Sequence, residues 1–168
     1  AVRATDGADL WRSPLHLEDP LEAVPLMPIQ RSEPLFIAVL AHGRVASIDW
    51  RSGILIRSTK IEAQGPLRCA APPVRWAQSI LIVASENRRG GQSALLTLDA
   101  AGGLHEVATV PGMVYTAPIV PPDTTMAILG TNEGALLAIE LRTGKTIWSF
   151  DAGKSIRATP VFVDGTLY

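Results

Sequence analysis

The feature that most constrains this chain is an internal repeat with a period of about 45 residues. The stretch LLAIELRTGKTIW, residues 136–148, aligns with VASIDWRSGILIR, residues 45–57. A third copy is LLTLDAAGGLHEV, and AVRATDGADLW at residues 1–11 is a fourth. Each copy carries a glycine at the matching place: Gly7, Gly53, Gly103 and Gly144, separated by 46, 50 and 41 residues. This spacing indicates one supersecondary unit per repeat.

A second marker keeps step with the glycines. It is a proline shortly before an aliphatic residue: Pro28, Pro72, Pro118 and Pro160, which are 44, 46 and 42 residues apart. Proline is best tolerated at the start of a strand, because its missing N–H does least harm there. Each unit then contains four short apolar runs joined by tight turns, which is typical of a β-propeller blade.

The sequence therefore predicts an all-β fold, a β-propeller built of four-stranded antiparallel blades, with about three full blades and two partial ones in this chain. Strands are expected near residues 35–40, 45–49, 54–58, 80–84, 95–98, 126–129, 136–140 and 146–150. The chain is expected to be part of a single propeller over 1–168. Its parts are a partial blade at 1–13, a connector at 14–26, blades at about 27–69, 70–115 and 116–155, and a partial blade at 156–168.

The two ends of the chain do not supply one complete blade. The third full unit uses 26 residues between Pro118 and Gly144, whereas the two ends together supply 15. A propeller removes its sheet edges by closing on itself. We therefore expect a fragment of a larger propeller, or a chain whose edges a partner covers. The remaining blades would come from the parent chain or from another subunit.

The tripeptide Gly144-Lys145-Thr146 is the end of a phosphate-binding loop, but its surroundings contradict that interpretation. The loop needs a glycine five positions earlier, where this chain has Ile139. It must also open a helix, whereas residues 146–150 alternate polar and apolar types as a strand does. Gly144 is therefore expected in a turn between two strands, where glycine tolerates a positive φ.

Composition excludes several functions for the chain as a whole. Its formal net charge of −1 gives no attraction to nucleic acid or to an anionic membrane. Cys69 is the single cysteine, so an intrachain disulfide and a cysteine metal cluster are impossible, and a buried thiol is expected. The histidines His16, His42 and His105 are too far apart in sequence to suggest a metal site. No apolar run is long enough to predict a transmembrane segment.

The stretch GALLAIELRTGKTIW followed by SIRATPVFVDGTLY resembles the repeat of pyrroloquinoline-quinone-type (quinoprotein-like) β-propellers. Trp11 and Trp148 stand four residues after their glycines, where the family tryptophan caps the outer strand and packs between blades. Arg57 and Val107 occupy this position in the middle copies. WD-type propellers share the period, but Asp49-Trp50 is their dipeptide reversed and the other copies lack their markers.

The family contains enzymes and non-enzymes, and two interpretations stay open. The resemblance implies that quinoprotein dehydrogenases hold a quinone and calcium at the axis of a larger ring, beside a cysteine pair. Here Cys69 is alone, and the acidic residues Asp123, Glu133 and Asp164 are scattered over turns. We predict a non-catalytic protein-binding or scaffolding module with no cofactor, no metal and no catalytic residues. A fragment of a dehydrogenase for alcohols or sugars is the alternative. The resemblance implies a periplasmic or extracytoplasmic location.

Two turns depart from the short repeat pattern, and functional residues on rigid scaffolds concentrate in loops. The turn ENRRGGQS, residues 86–93, carries Arg88 and Arg89, which can form bidentate contacts with carboxylates. The stretch before Pro118 carries Met113 and Tyr115, types that are enriched at interface cores. We predict these four as interaction residues. The alternative is a merely longer, solvated loop, with Met113 and Tyr115 packed between blades.

Overall fold

The computed structural model describes residues 2–10, 21–28, 35–40, 43–49, 51–62 and 66–168. Over these residues the backbone forms strands in four antiparallel sheets, and none of them lies in an α-helix. The four sheets do not close into a ring. The all-β, antiparallel prediction from the sequence is therefore confirmed.

The first two sheets contain nine strands, each paired antiparallel with its neighbours. The first sheet has the order β1-β2-β3-β4, formed by Leu21–Pro28, Leu35–Leu40, Arg44–Asp49 and Leu55–Lys60. The second consists of β5 to β9, formed by Leu67–Arg68, Val74–Trp76, Ser79–Glu86, Gln92–Leu98 and Leu104–Pro111. Both β5 and β6 pair with β7, at opposite ends of it, so the inner strand of this sheet is split in two.

The third and fourth sheets are smaller. The third has three strands, β10 to β12, formed by Met126–Gly130, Ala135–Glu140 and Thr146–Asp151. Its inner edge is a single bridge between Ile119 and Ile128, closed by two backbone hydrogen bonds of 2.8 Å. The fourth is the pair β13 (Phe162–Val163) and β14 (Thr166–Leu167). Each of the eight strands expected from the sequence is present, with its ends within three residues of the expected ones.

The inner edge of the first sheet differs from the repeat pattern. Strand β1 begins at Leu21, inside the range 14–26 that the sequence assigns to a connector, and Pro28 ends this strand. In the third sheet Pro118 stands before the inner pairing, as the sequence predicts, whereas in the second sheet Pro72 lies between β5 and β6. Strand β1 is an edge strand, where a proline without an N–H is tolerated anywhere along the free side.

The sheets are held together by two apolar clusters, one on each face of strand β7. Ile80 and Ile82 enter the first cluster, together with residues of the first sheet such as Ile37 and Val39. Leu81 and Val83 enter the second cluster, together with residues of the third sheet. Full burial of such a side chain stabilises the fold by about 1.5–3 kcal/mol. Cys69 forms no disulfide, and its side chain is fully buried in the first cluster.

The turn between β11 and β12 explains the Gly-Lys-Thr tripeptide. Gly144 has a φ of 70°, and its N–H donates to the carbonyl of Glu140 at 2.8 Å. The N–H of Glu140 in turn donates to the carbonyl of Lys145, also at 2.8 Å. Gly53 closes the same turn on Asp49, and Gly7 closes it on Arg3. The tripeptide therefore belongs to the tight turn of the repeat and to the start of β12.

The turn between β8 and β9 is one residue shorter than the others. Two residues therefore lie at other positions than the sequence predicts: the left-handed glycine and the residue at the tryptophan position of the outer strand. Its left-handed residue is Gly102, with a φ of 84°, and not Gly103, because the turn closes one residue earlier on Asp99. In the outer strand, Trp148 lies opposite Ala138 and Arg57 lies opposite Ser47. The residue in this register in the second sheet is His105, opposite Thr97, and not Val107. The alignment around Gly103 misses this shift because glycines stand at both positions 102 and 103.

The tryptophan positions are only partly described. Trp148 lies on β12, where all six residues are exposed, and 37% of its surface is accessible. The packing of Trp148 between neighbouring blades stays a prediction. Trp11 lies outside the residues that the structure describes.

Gly144 also forms the contact between neighbouring sheets. A Cβ atom at this position would collide with the backbone carbonyl of Val107 on strand β9. At Gly102, a Cβ would collide with the guanidinium of Arg57 on β4. The turn of each of these two sheets thus rests on the outer strand of the preceding sheet. At Gly144, where the neighbour is backbone, a glycine is needed for space as well as for its φ angle, whereas at Gly102 the flexible side chain of Arg57 can move aside.

We expect Gly144→Ala to destabilise the protein by more than the cost of a left-handed alanine, which is about 1–2 kcal/mol. The collision with Val107 adds about 1–3 kcal/mol, because backbone must shift to relieve it. Gly153→Ala is the matched control, since Gly153 has a φ of 68° and open space around it. Urea unfolding of both variants measures the difference, and equal losses would contradict the contact.

Candidate functional site

The site predicted from the sequence lies at one end of the sheets, where the chain crosses from each sheet to the next. We call this the crossover end and define it by residues 86–92, 112–117, 131–134 and 152–158. The turns that contain Gly53, Gly102 and Gly144 lie at the opposite end, here called the turn end. Strand β7 runs from Ser79 near the turn end to Glu86 at the crossover end.

Backbone hydrogen bonds repeat at the crossover end from sheet to sheet. The residue that leaves the outer strand donates its N–H to a glycine of its own sheet: Ile61 to Gly43 at 2.7 Å, Gly112 to Gly91 at 3.0 Å and Ala152 to Gly134 at 2.8 Å. The following sheet then donates back to the crossover, from Asn87 to Pro66 at 2.9 Å and from Asn132 to Met113 at 2.8 Å. The crossovers are therefore fixed on both sides.

The segment 112–114 is also anchored from below by a pair of buried serines. The hydroxyl groups of Ser85 and Ser93 lie 2.7 Å apart, and that of Ser93 donates to the carbonyl of Gly112 at 2.7 Å. The N–H of Val114 donates to the hydroxyl oxygen of Ser85 at 3.2 Å. Buried hydroxyl groups need such partners. These two serines therefore hold the loop backbone in place.

Met113 and Tyr115 follow this anchored segment and are half-buried. The N–H of Met113 donates to the side-chain oxygen of Asn132 at 2.7 Å, while its carbonyl accepts from the N–H of Asn132. The hydroxyl of Tyr115 lies 3.5 Å from the sulfur of Met113, and the guanidinium of Arg157 lies 5.8 Å from the centre of the Tyr115 ring. These contacts orient both side chains.

The two arginines at the tip of the β7–β8 hairpin differ in their contacts. Arg88 forms an ion pair with Glu86, with 2.7 Å between Nη2 and Oε2, and Glu86 also accepts from the N–H of Gln92. Arg89 is exposed and forms no hydrogen bond or ion pair with any of the described residues. Its guanidinium is therefore available for contacts outside the chain.

The structure brings three of the four predicted interaction residues into one cavity of about 410 Å³. We call this the hairpin cleft, and it is lined by residues 87–91 of the hairpin, by Met113, and by Asn132 and Glu133. Arg88, Arg89 and Met113 are the predicted residues that line it, and Tyr115 contacts it through Met113. Sequence reasoning missed Asn132, although it lies in the recognisable turn TNEG.

The acidic side chains at the turn end have a structural role. The N–H of Ser52 holds the pKa of the Asp49 carboxyl below its usual value, and the N–H of Arg51 adds to this effect. The N–H of Gly103 does the same for the pKa of Asp99, and the ring of His105 at 3.1 Å contributes next. A carboxylate that accepts backbone N–H groups stabilises its turn. Both residues are therefore explained by the turns they close.

The acidic set considered for a metal is split between the two ends of the sheets. Asp123 and Asp164 lie in left-handed turns at the turn end, whereas Glu133 lies at the crossover end. Over the described residues there is no group of three or more side chains that could hold a metal ion. His16 and His42 lie outside those residues. No helix within the described part of the chain is long and apolar enough to cross a membrane.

Antiparallel sheets of two to five strands, joined by crossovers at one end and glycine turns at the other, have the arrangement of β-propeller blades. A family model described as outer membrane protein assembly factor BamB matches residues 1–150. This match covers most of the chain, and the chain belongs to that family. A comparison with curated protein sequences finds no match.

Solved structures share the fold at low sequence identity. BamB from Moraxella catarrhalis is 19% identical with a TM-score of 0.58, and the match covers 83% of this chain and 40% of that one. A europium-containing methanol dehydrogenase is 16% identical with a TM-score of 0.58, covering 77% and 34%. The quinohemoprotein alcohol dehydrogenase ADHIIG from Pseudomonas putida HK5 is 13% identical with a TM-score of 0.59, covering 80% and 29%. The chain thus spans two fifths or less of the length of these proteins.

We expect Asn132→Ala to destabilise the protein by about 1–3 kcal/mol, because the N–H of Met113 then loses its partner in a half-buried position. Asn87 holds the equivalent place in the second sheet but contributes only its backbone N–H. Asn87→Ala is therefore the control, with an expected change within about 0.5 kcal/mol. Thermal or urea unfolding compares the two variants. A loss for Asn132→Ala no larger than for Asn87→Ala would contradict the role of the side chain.

Proposed function

We propose that this chain is a non-catalytic propeller module that binds a protein partner through the crossover end. The observation that carries the proposal is the hairpin cleft, which unites Arg88, Arg89 and Met113 beside Tyr115. Arginine, methionine and tyrosine are enriched at protein interfaces. The partner belongs, on this proposal, to the assembly of outer-membrane proteins, the process in the description of the family.

The chemistry of the cleft indicates which part of a partner it contacts. The guanidinium of Arg89, which has no partner among the described residues, favours a carboxylate, because its planar donors match two carboxylate oxygens. Met113 and the ring of Tyr115 offer apolar surface within the same area. An acidic segment with an adjacent apolar residue therefore complements this cleft. The scaffold supports such binding because the loop backbone is fixed before the partner arrives.

Two further parts of the proposal follow from the family. The remaining blades of the propeller come from the parent chain or from another subunit and cover the exposed apolar residues of β12, such as Ile147 and Phe150. The location is periplasmic or extracytoplasmic, where the assembly of outer-membrane proteins takes place. The proposal includes no binding of nucleic acid, because a formal net charge of −1 gives no general attraction to phosphates.

The second candidate function is part of a dehydrogenase that uses pyrroloquinoline quinone to oxidise alcohols or sugars. The fold likeness to a methanol dehydrogenase and an alcohol dehydrogenase supports it. A shared fold does not carry a shared function. The buried thiol of Cys69, the chain's single cysteine, does not fit the cysteine pair that the family resemblance implies for quinoprotein dehydrogenases. Turnover of an alcohol or sugar that depends on added quinone distinguishes the two functions.

We expect Arg89→Glu to reduce cross-linking of the partner by about fivefold or more, the factor that corresponds to roughly 1 kcal/mol of lost binding. A photo-activatable residue replaces Met113 in the intact parent protein, and mass spectrometry identifies what it captures in cells. Arg89→Glu is cleaner than Arg88→Glu, because a glutamate at position 88 would face Glu86. The free energy of unfolding should change by no more than about 0.5 kcal/mol, as for other exposed substitutions.

Arg142→Glu is the matched control, since Arg142 is an exposed arginine in a turn at the other end of the sheets. This variant should leave the yield of partner cross-linked to the photo-activatable residue at position 113 unchanged. Equal yields from Arg89→Glu and the unsubstituted protein would remove the cleft from the binding site. Capture of the same partner only from position 142 would move the site to the turn end.

A further inference from the structure

A second cavity lies on the other side of the β7–β8 hairpin, between the first and second sheets. Its volume is about 450 Å³, which is within the range of about 300–1,000 Å³ found for ligand sites. We call it the glutamate pocket and define it by four apolar residues and two glutamates: Ile61, Leu67, Ala84, Ala94, Glu62 and Glu106. It is distinct from the hairpin cleft, and Arg88 lines both.

The inner part of the glutamate pocket is apolar for a structural reason. Ile61, Leu67 and Ala84 belong to the buried cluster between the first and second sheets, and Ala94 packs against it. Ile61 and Leu67 are only 5% and 8% exposed. Small alanines on β7 and β8 leave space beside these larger side chains. The pocket therefore offers a floor on which an aliphatic chain can lie.

The charges around this floor are unbalanced. Three glutamates and one arginine line the pocket. Glu86 is neutralised by its ion pair with Arg88 at 2.7 Å. Glu106 accepts one hydrogen bond from the hydroxyl of Thr109 at 2.7 Å, and among the described residues no cation pairs with it. Glu62 is exposed and forms no hydrogen bond or ion pair with the described residues. Two carboxylates thus remain available.

We propose that the glutamate pocket binds a basic side chain, arginine or lysine, of the protein partner. The aliphatic stem of such a side chain lies along apolar surface while its charged end stays at the solvent boundary. Here the stem lies on Ile61 and Leu67, and the charged end meets Glu62 and Glu106. A divalent cation does not fit as well, because it needs several converging oxygen ligands, and the described residues contain no group of three or more side chains that could hold a metal ion.

The inference rests on the proposed function only in taking a protein as the source of the side chain. Together, the hairpin cleft and the glutamate pocket place opposite charges on the two sides of the β7–β8 hairpin. Arg89 on one side favours a carboxylate, and the glutamate pocket on the other side favours a cation. A partner segment with an acidic and a basic residue at matching separation is therefore distinguished from a uniformly charged one.

The affinity of the pocket is tested with N-acetylarginine amide, added to the intact protein with isotope-labelled methyl groups and followed by NMR. N-acetylcitrulline amide, which has the same shape without the charge, is the matched ligand control. We expect arginine amide to shift the methyl signals of Ile61, Leu67 and Ala94, and not those of Leu137 in the other cluster. Citrulline amide should bind several-fold more weakly. Equal shifts with the two ligands, or no shift with either, would overturn the proposal.

Glu106→Gln should weaken binding of arginine amide by about two- to fivefold, which is the range for exposed ion pairs. Glu62→Gln should have a similar effect. Glu133→Gln is the control, since Glu133 is an exposed glutamate of the crossover end that lines the hairpin cleft and not this pocket. An equal effect of Glu133→Gln would show that general charge attraction causes the binding, and would overturn the assignment.

The two hypotheses fail separately. If arginine amide binds as expected and no partner is captured from position 113, the pocket stands and the proposed function fails. If a partner is captured from position 113 and arginine amide does not bind, the function stands and the pocket assignment is wrong.

Discussion

The burial of strand β7 on both faces is the constraint on which the rest of the structure depends. Ile80 and Ile82 point to the first sheet, while Leu81 and Val83 point to the third. A sheet with two apolar faces is stable only when a neighbour covers each face. The repeat therefore forces the sheets to stack side by side, and each added sheet presents a new apolar face to the next.

Because of this stacking, the two ends of the sheets have different roles. At the turn end, glycines such as Gly144 are pressed against the preceding sheet, so the sequence there has little freedom. At the crossover end, the backbone satisfies its own hydrogen bonds between Gly91 and Gly112 and between Met113 and Asn132. Side chains such as that of Arg89 are then not needed to stabilise the fold. A rigid backbone with free side chains is the arrangement that recognition requires.

Much of the fold could be predicted because the repeat states the same information several times. Short apolar runs bounded by turn residues predicted strands such as β2 and β11, and the Asp49 and Glu140 turns followed from their glycines. The position of the left-handed glycine at residue 102 could not be predicted, because two adjacent glycines satisfy the same pattern. Strand β1 was missed because edge strands tolerate prolines that otherwise indicate a break.

The site could be predicted only in part, since sequence identifies residue types while contacts decide their roles. Arg88 and Arg89 look equivalent in the sequence, yet Glu86 pairs with Arg88 alone. The glutamate pocket joins Glu62, which follows strand β4, and Glu106, which lies on strand β9 of the second sheet and is far away along the chain. No local pattern indicates such a pair. Such pairs depend on how neighbouring sheets stack. A sequence repeat predicts that the sheets stack, but it does not predict which side chains meet.

The most direct test of the central claim is hydrogen–deuterium exchange of the intact protein, with and without the partner captured at position 113. The account predicts slower exchange on binding at residues 86–92, 112–114 and 131–134, because these segments form the binding surface. The turns at residues 49–54, 99–104 and 140–145 should exchange at unchanged rates. Protection of those turns, with no change at residues 86–92, would contradict the assignment of binding to the crossover end.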